Sequence, residues 1–265
     1  MASWSTEDLC GPDGEDWRVP AKELEARLEN LSHRLAEADI AGALIQNPVD
    51  LYYFAGGRQN GTLFVPAADS NASASEGGDG ATFFVRRSVS RAKFEAGGGD
   101  SPLSIQKFPS LRVFAETLSN LGLEHAPGLQ YGEIPADFAN KFRSVLASLG
   151  DAADCTQTIH LQREEKSDWE INMMREGAVI QQQMFEAVED SIKIGATELE
   201  IVASAEKISR RNGFGGNVQM RRFPLQCDRA GIVSGRAGGI PSFFDSAIGG
   251  TGAHPLAGMG SGFNK

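Results

Sequence analysis

The chain has 265 residues, a formal net charge of −10, 41% hydrophobic residues and 23% charged residues. That length fits one large domain or two modest ones, and either can bury a core. The acidic balance argues against a nucleic-acid partner, because phosphate contacts need clustered Lys and Arg. No apolar run approaches the ~20 residues that a membrane-spanning helix requires, so the sequence also predicts no membrane partner.

The cysteines and the first residues indicate a compartment. Cys10, Cys155 and Cys227 are far apart and form no CxxC pair, so neither a zinc site nor a disulfide framework is predicted. Residues 1–19 are rich in Asp, Glu and Gly and lack hydrophobic periodicity, which predicts a flexible tail. They also lack the apolar run of a secretory signal. We therefore expect a cytoplasmic protein with free thiols.

The next part of the chain alternates predicted helices with predicted strands. A helix begins at Pro20 and is expected to end at Ala41-Gly42, and it carries one apolar stripe typical of core packing. The stripe consists of Leu24, Leu28, Leu31 and Leu35. A short buried strand follows at 43–45. Residues 47–50, Asn-Pro-Val-Asp, predict a turn because Pro restricts its own φ and Asn and Asp bond to the local backbone.

The same alternation continues to about residue 157. Further strands are predicted at 62–65, 82–85 and 129–131, and further helices at 111–121 and 135–149. This order favours an α/β (α+β) fold, a mixed or mainly parallel sheet covered by helices. Within the first 155 residues, the side chains that carry catalysis are not concentrated anywhere, so we interpret this part as a scaffold or recognition domain.

Two capping boxes open the second half. Ser167-x-x-Glu170 and Thr197-x-x-Glu200 each place a hydroxyl at the N-cap and a carboxylate three residues later. Gly195 is predicted to end the first helix in the left-handed conformation, and Gly213 the second. The first helix is expected to bury one apolar set, namely Trp169, Met173, Ile180, Met184, Val188 and Ile192.

Two stretches resemble a known superfamily. The first is the ordered set Arg163, Lys166-Ser167, Glu170-Ile171, Met174-Arg175, Ala178, Gly195, Thr197-Glu198 and Gly213. It is similar to the opening of the pita-bread domain of the M24 peptidase superfamily, which holds Xaa-Pro aminopeptidases, prolidases, methionine aminopeptidases and creatinases. The second stretch, NPVDLYYFAG at 47–56, resembles the start of the creatinase/prolidase N-terminal domain. The resemblance implies such a domain over 20–157 and the N-terminal part of a pita-bread domain over 158–265.

The resemblance also implies a metal centre outside this chain. In the peptidases of the superfamily, two Asp, one His and two Glu hold two divalent ions (Mn, Co or Zn), which activate a water and polarise the scissile carbonyl. These ligands follow a segment similar to 252–265, so we expect no metal ligand, no catalytic residue and no bound cofactor in this chain. Asp228, Asp245 and His254 have spacing that is not typical of a metal site.

Substrate-binding residues are named from the same resemblance. The family keeps a His after a motif like Ser-Gly-x-Asn…Pro-His, and the matching residues 234–242 read SGRAGGIPS. Ser242 occupies the place of the His, Arg236 departs from the pattern, and His254 could supply an imidazole from a nearby loop. Arg236, Ser242 and His254 are therefore the candidates, although His254 is equally explained as a loop residue beside Pro255.

The function implied is that of the N-terminal portion of a metallo-exopeptidase of the Xaa-Pro aminopeptidase or dipeptidase type, inactive as this isolated chain. Two alternatives stay open: a non-catalytic peptide-binding or dimerisation module, and a creatinase-like C–N hydrolase. The partners expected are a peptide substrate in a full-length relative and a second copy of the chain. Half of a pita-bread domain would leave apolar helix faces unpaired, which favours association.

Overall fold

The computed structural model describes residues 14, 16–74, 80–216, 231–241, 249–253 and 260–265. The chain divides into two compact units, Met1–Lys166 and Ser167–Lys265. Most of the predicted tail lies outside the described residues, and the domain assignments 20–157 and 158–265 stay predictions. At the described end of the tail, Val19 is buried and Arg18 donates a hydrogen bond to the Phe94 carbonyl at 3.1 Å.

The first unit contains a mixed sheet. Its five described strands are β1 (Gly42–Ile45), β2 (Gly61–Pro66), β3 (Thr82–Val85), β4 (Ser104–Lys107) and β5 (Gly128–Leu129). Their order across the sheet is β4-β3-β2-β1-β5. The β1–β2 and β2–β3 pairs are antiparallel, whereas β1–β5 and β3–β4 are parallel. This arrangement confirms the predicted mixed α/β fold class.

Six helices of the first unit are described: α1 (Ala21–Glu37), α2 (Pro48–Ala55), α3 (Val89–Glu95), α4 (Phe114–Asn120), α5 (Ala136–Leu146) and α6 (Thr156–Glu164). Short 3-10 turns lie at Asn71–Ala74, Gly98–Asp100, Leu111–Val113 and Ala147–Leu149. None of the helices in the described part of the chain is long and apolar enough to cross a membrane.

Alternate residues of the strands build two hydrophobic clusters. Ile45, Leu63 and Phe83 belong to the cluster that also contains Ile159 of α6 and three α1 leucines, Leu28, Leu31 and Leu35. Leu44, Phe64 and Phe84 belong to the second cluster, with Phe114 of α4 and Phe142 of α5. Successive side chains of a strand point to opposite faces, so both faces of the sheet are buried under helices. The leucine stripe predicted on α1 is buried throughout, which confirms its role in the core.

Three local predictions in this unit are wrong. The turn at 47–50 is instead the start of α2, where the Asn47 side chain caps the helix by accepting from the Val49 N–H at 2.8 Å. Asn before Pro serves a helix N-terminus as well as a turn. Helix α1 ends at Glu37 rather than at residues 41–42, because Asp39 takes a left-handed φ of 55°. The strand predicted at 129–131 is β5, which ends at Leu129.

The second unit contains α7 (Asp168–Ser191), α8 (Glu198–Arg211) and the short α9 (Gly235–Gly238) among its described residues. Both predicted capping boxes are confirmed. The Glu170 N–H donates to Ser167 Oγ at 3.1 Å, and the Ser167 N–H donates to Glu170 Oε2 at 3.0 Å. Thr197 and Glu200 make the same pair of bonds at 3.2 and 2.8 Å.

The predicted burial along α7 is wrong. No residue of this helix is buried; Met173 is 40% exposed, and Ile192, just after the end of the helix, is 63% exposed. Helix α8 contacts one face of α7, where Ser204 Oγ donates to the Ala187 carbonyl at 3.1 Å. Within the described part of the unit, Met174 and Phe185 stay exposed as well. Hydrophobic spacing identifies an apolar face but does not identify what covers it.

Candidate functional site

Of the three predicted substrate-binding residues, the structure describes Arg236 alone. Ser242 and His254 lie outside the described residues, as do Asp228 and Asp245. Arg236 lies on α9, where its side chain is exposed. The position of Arg236 therefore depends on what holds α9 in the second unit.

A buried carboxylate holds that segment. Glu198, the first residue of α8, is 2% exposed. Its Oε1 accepts from the Ser234 N–H at 2.7 Å and from Ser234 Oγ at 3.2 Å, and its Oε2 accepts from the Gly262 N–H at 2.9 Å and from Asn264 Nδ2 at 3.4 Å. We call Glu198, Ser234, Gly262 and Asn264 the Glu198 cluster. Because Ser234 precedes α9, the cluster ties the Arg236-bearing helix to α8.

The backbone at the start of α8 completes this connection. The Glu198 N–H donates to the Asn264 carbonyl at 2.9 Å, and the Leu199 N–H donates to the Gly262 carbonyl at 3.2 Å. The first N–H groups of a helix have no partner within the helix, so an adjacent chain segment can satisfy them. Ser261 Oγ also bridges to the Ile232 backbone, accepting from its N–H at 2.8 Å. Residues 231–234 and 260–264 are thus joined around one helix N-terminus.

The electrostatics of Glu198 define what it can do. Burial alone would raise its pKa, but hydrogen bonds from the Gly262 and Ser234 N–H groups and from the Asn264 and Ser234 side chains hold that pKa below the ordinary value. Glu198 is therefore a carboxylate at neutral pH. A carboxylate offers about four acceptor positions, and four donors already occupy them. Glu198 positions neighbouring backbone and is not available to a substrate as an acid or a base.

The first unit contains a second polar arrangement, which sequence reasoning missed. Asp50 on α2 is 1% exposed, and its Oδ1 accepts from Arg163 Nη1 of α6 at 2.7 Å. Its Oδ2 accepts from Gln130 Nε2 at 2.6 Å. Gln130 Oε1 in turn accepts from the N–H groups of Gln46 and Asn47 at 2.7 and 3.0 Å. These five residues form the Asp50 network.

This network extends to a carboxylate–imidazole pair. Glu133 accepts from Asn47 Nδ2 at 3.1 Å, and its other oxygen lies 2.8 Å from His160 Nε2. The network lies at the carboxyl ends of the parallel strands β1 and β5, the end of an open α/β sheet where ligands commonly bind. Here, however, the charged groups bind one another, and they fix α2 and α6 to the sheet.

A dinuclear metal centre does not fit the described residues. No group of three or more His, Cys, Asp or Glu side chains within the described part of the chain is arranged to hold a metal ion. The thiol of Cys155 is free and buried, and burial raises its pKa, which disfavours the thiolate that binds metals. No chemical step through a metal is therefore assigned to these residues.

Comparison with solved structures places this fold among prolidase-type proteins. The Xaa-Pro dipeptidase from Bacillus anthracis matches with a TM-score of 0.59 at 20% identity, covering 72% of this chain and 50% of that chain. Dipeptidase PepE from Mycobacterium ulcerans matches with a TM-score of 0.58 at 19% identity, covering 73% and 51%. The X-Pro aminopeptidase from Thermotoga maritima MSB8 matches with a TM-score of 0.55 at 18% identity, covering 70% and 49%. The chain spans about half the length of these relatives, and such identities establish the fold alone.

The family follows from the sequence of the first unit. A family model described as the creatinase/prolidase N-terminal domain matches residues 27–165, which is more than half of the chain. The chain therefore belongs to the creatinase/prolidase N-terminal domain family, and the resemblance stated for its first half is confirmed. A search of curated proteins found no match.

Proposed function

We propose that this chain is the N-terminal portion of an M24-like metallo-exopeptidase that hydrolyses Xaa-Pro peptides, and that residues 1–265 have no peptidase activity by themselves. The main support for the proposal is the extent of one structural match. The match to the Bacillus anthracis protein covers 72% of the chain, and the 166 residues of the first unit cannot account for that share of 265 residues. The likeness therefore extends into the second unit.

Within this proposal, the described residues hold helices in position and take no part in the chemical reaction. The Asp50 network anchors α2 and α6, and the Glu198 cluster anchors α9. The exposed guanidinium of Arg236 is suited to bind a peptide carboxylate through two N–H groups, with Ser242 and His254 as further substrate contacts. The two divalent ions (Mn, Co or Zn) would be held by residues that follow Lys265 in the complete enzyme.

The proposal includes a homodimer in the cytoplasm. Exposed Ile171, Met174 and Phe185 lie on one face of α7 and support an association surface, since exposed apolar patches mark interaction sites. The free thiol of Cys155 is consistent with a reducing compartment. Sedimentation velocity of the purified chain tests the dimer, and a monomer across the micromolar range would contradict it.

The activity is tested by comparing two proteins. One is the 265-residue chain, and the other is the product of the same reading frame extended past Lys265. Each is incubated with Mn²⁺ and an Xaa-Pro dipeptide, and released proline is measured. We expect Mn²⁺-dependent release from the extended protein only. Absence of the two Asp, one His and two Glu from the extension would refute the exopeptidase proposal.

A non-catalytic module is the second candidate, and the exposed side chains of α7 are the observation that favours it. A binding or dimerisation module would associate through them without hydrolysing peptides. Phe185→Ser, compared with Gln182→Ser on the same helix, separates the two candidates. A dimer weakened by the Phe185 change, together with an inactive extended protein, would establish the module.

A further inference from the structure

We propose that the free edge of β4, with the cationic side chains at its carboxyl end, binds an extended acidic polypeptide segment by strand addition. This inference is independent of the peptidase proposal. It depends on two separate features of the first unit, one in the charge distribution and one in the sheet.

The charge distribution is the first feature. Residues 82–112 contain six Lys and Arg but only two Asp and Glu, in a chain whose net charge is −10. The exposed cations that we call the cationic edge are Arg58, Arg86, Arg87, Lys107 and Arg112. Of the nearby carboxylates, Glu95 is already held by Arg91 at 2.7 Å and by Gln59 Nε2 at 3.0 Å. Glu116 on α4 is exposed.

Strand register brings the cationic edge together. Val85 lies opposite both Gly61 of β2 and Lys107 of β4. Just beyond it, the Arg86 N–H donates to the Asn60 carbonyl at 2.8 Å, and the Arg86 guanidinium lies 4.2 Å from the Phe108 ring centroid. Arg58 therefore lies two residues from this contact, and Arg87 lies next to it.

Arg112 is brought to the same end of the sheet by aromatic packing. It lies on the turn between Phe108 and Phe114, whose rings stack with centroids 5.0 Å apart. The positive charge is thus concentrated where β3 and β4 end. Such a local potential attracts an anionic partner even though the whole chain is acidic.

The sheet edge is the second feature. β4 is an outer strand, and within the described residues no strand pairs with its other side. The Ser104 N–H donates to the Ala81 carbonyl, just before β3, at 3.1 Å, and the Phe108 N–H donates to the Val85 carbonyl of β3 at 2.9 Å. Backbone groups of alternate residues in a strand point to opposite sides, so those of Ile105 and Lys107 point away from β3. Such groups are a template for an added strand.

The two features together define the partner. Main-chain donors and acceptors spaced along a strand recognise a polypeptide, whereas nucleic acid offers no matching ladder. The cations select acidic side chains. A second copy of this chain is disfavoured at this edge, because pairing β4 with β4 would bring two cationic edges together.

The test is a binding titration with a defined probe. A fluorescein-labelled ten-residue peptide of alternating Glu and Val is titrated with the full chain, and anisotropy is measured in 50 and 300 mM NaCl. We expect saturable binding that weakens with salt. The same peptide N-methylated at every residue keeps its charge but has no backbone N–H left to donate on either edge, so it should not bind. Equal binding of the methylated peptide would overturn strand addition.

Matched variants test the location. Lys107→Glu should weaken binding about fivefold, whereas Lys141→Glu, the same change at an exposed position on α5, should change it by less than about 1.5-fold. Circular dichroism confirms that both variants fold. Equal effects of the two substitutions, tighter binding of a ten-nucleotide oligothymidylate than of the peptide, or no peptide binding at all would each overturn the proposal.

Discussion

Arg163→Ala should destabilise the first unit even though the Arg163 side chain is partly exposed, because its partner Asp50 is buried. In Arg163→Ala, the Asp50 carboxylate, whose side chain is 2% exposed, keeps the hydrogen bond from Gln130 but loses its cation. Breaking a fully buried ion pair costs about 3–5 kcal/mol. Because the Arg163 side chain is 29% exposed, water can partly replace it, and we expect a loss of about 2–3 kcal/mol.

Guanidinium unfolding followed by fluorescence measures this loss. If the free energy of unfolding falls by about 4 kcal/mol per M of guanidinium, the unfolding midpoint of the first unit should fall by about 0.6 M. Arg143→Ala, an exposed arginine on α5, is the control and should shift stability by less than about 0.5 kcal/mol. In the double variant Asp50→Leu/Arg163→Met, no charge is left unpaired, so its loss should be smaller than the sum of the single losses. Equal midpoints for Arg163→Ala and the control would refute the role given to the pair.

Three further predictions concern other buried or capping groups. The lowered pKa of Glu198 means that its stabilisation is complete above the ordinary value of 4.5 and is lost as pH falls through the lowered pKa. Glu198→Gln should therefore flatten the acid-side decline of stability between about pH 5 and 3, and an unchanged profile would contradict this. Cys155 should resist iodoacetamide in the folded protein and react after unfolding, as mapped by mass spectrometry, because burial raises its pKa; rapid native labelling would disprove its burial. Ser167→Ala should cost about 1 kcal/mol by removing the α7 cap, whereas Ser144→Ala on α5 should have little effect; equal losses would argue against the cap.

The elements that the sequence predicts well are those defined by local pattern. The α1 leucines, the strand at 82–85 and the two capping boxes each depend on residues within one element. β4 was missed because Ile105 is its one buried residue, so no alternation marks it as a strand. The start of α2 was misread because Asn-Pro suits a turn and a helix N-terminus alike.

The buried polar networks could not be predicted from spacing. Asp50 takes its partners from Gln130 and Arg163, which lie 80 and 113 residues further along the chain. Such pairs become visible only when the sheet brings α2, β5 and α6 together. Glu198 was recognised within a motif, but its role required the positions of Ser234 and Gly262. For α7 the apolar spacing was correct, and the error lay in assuming that all of it is covered.

The most direct test of the proposed function is Mn²⁺-dependent proline release from an Xaa-Pro dipeptide, measured in parallel for the 265-residue chain and for the product of the reading frame extended past Lys265. We expect proline release by the extended protein and none by the 265-residue chain. Turnover by the 265-residue chain itself, or an extended protein that contains the metal ligands and still releases no proline, would contradict it.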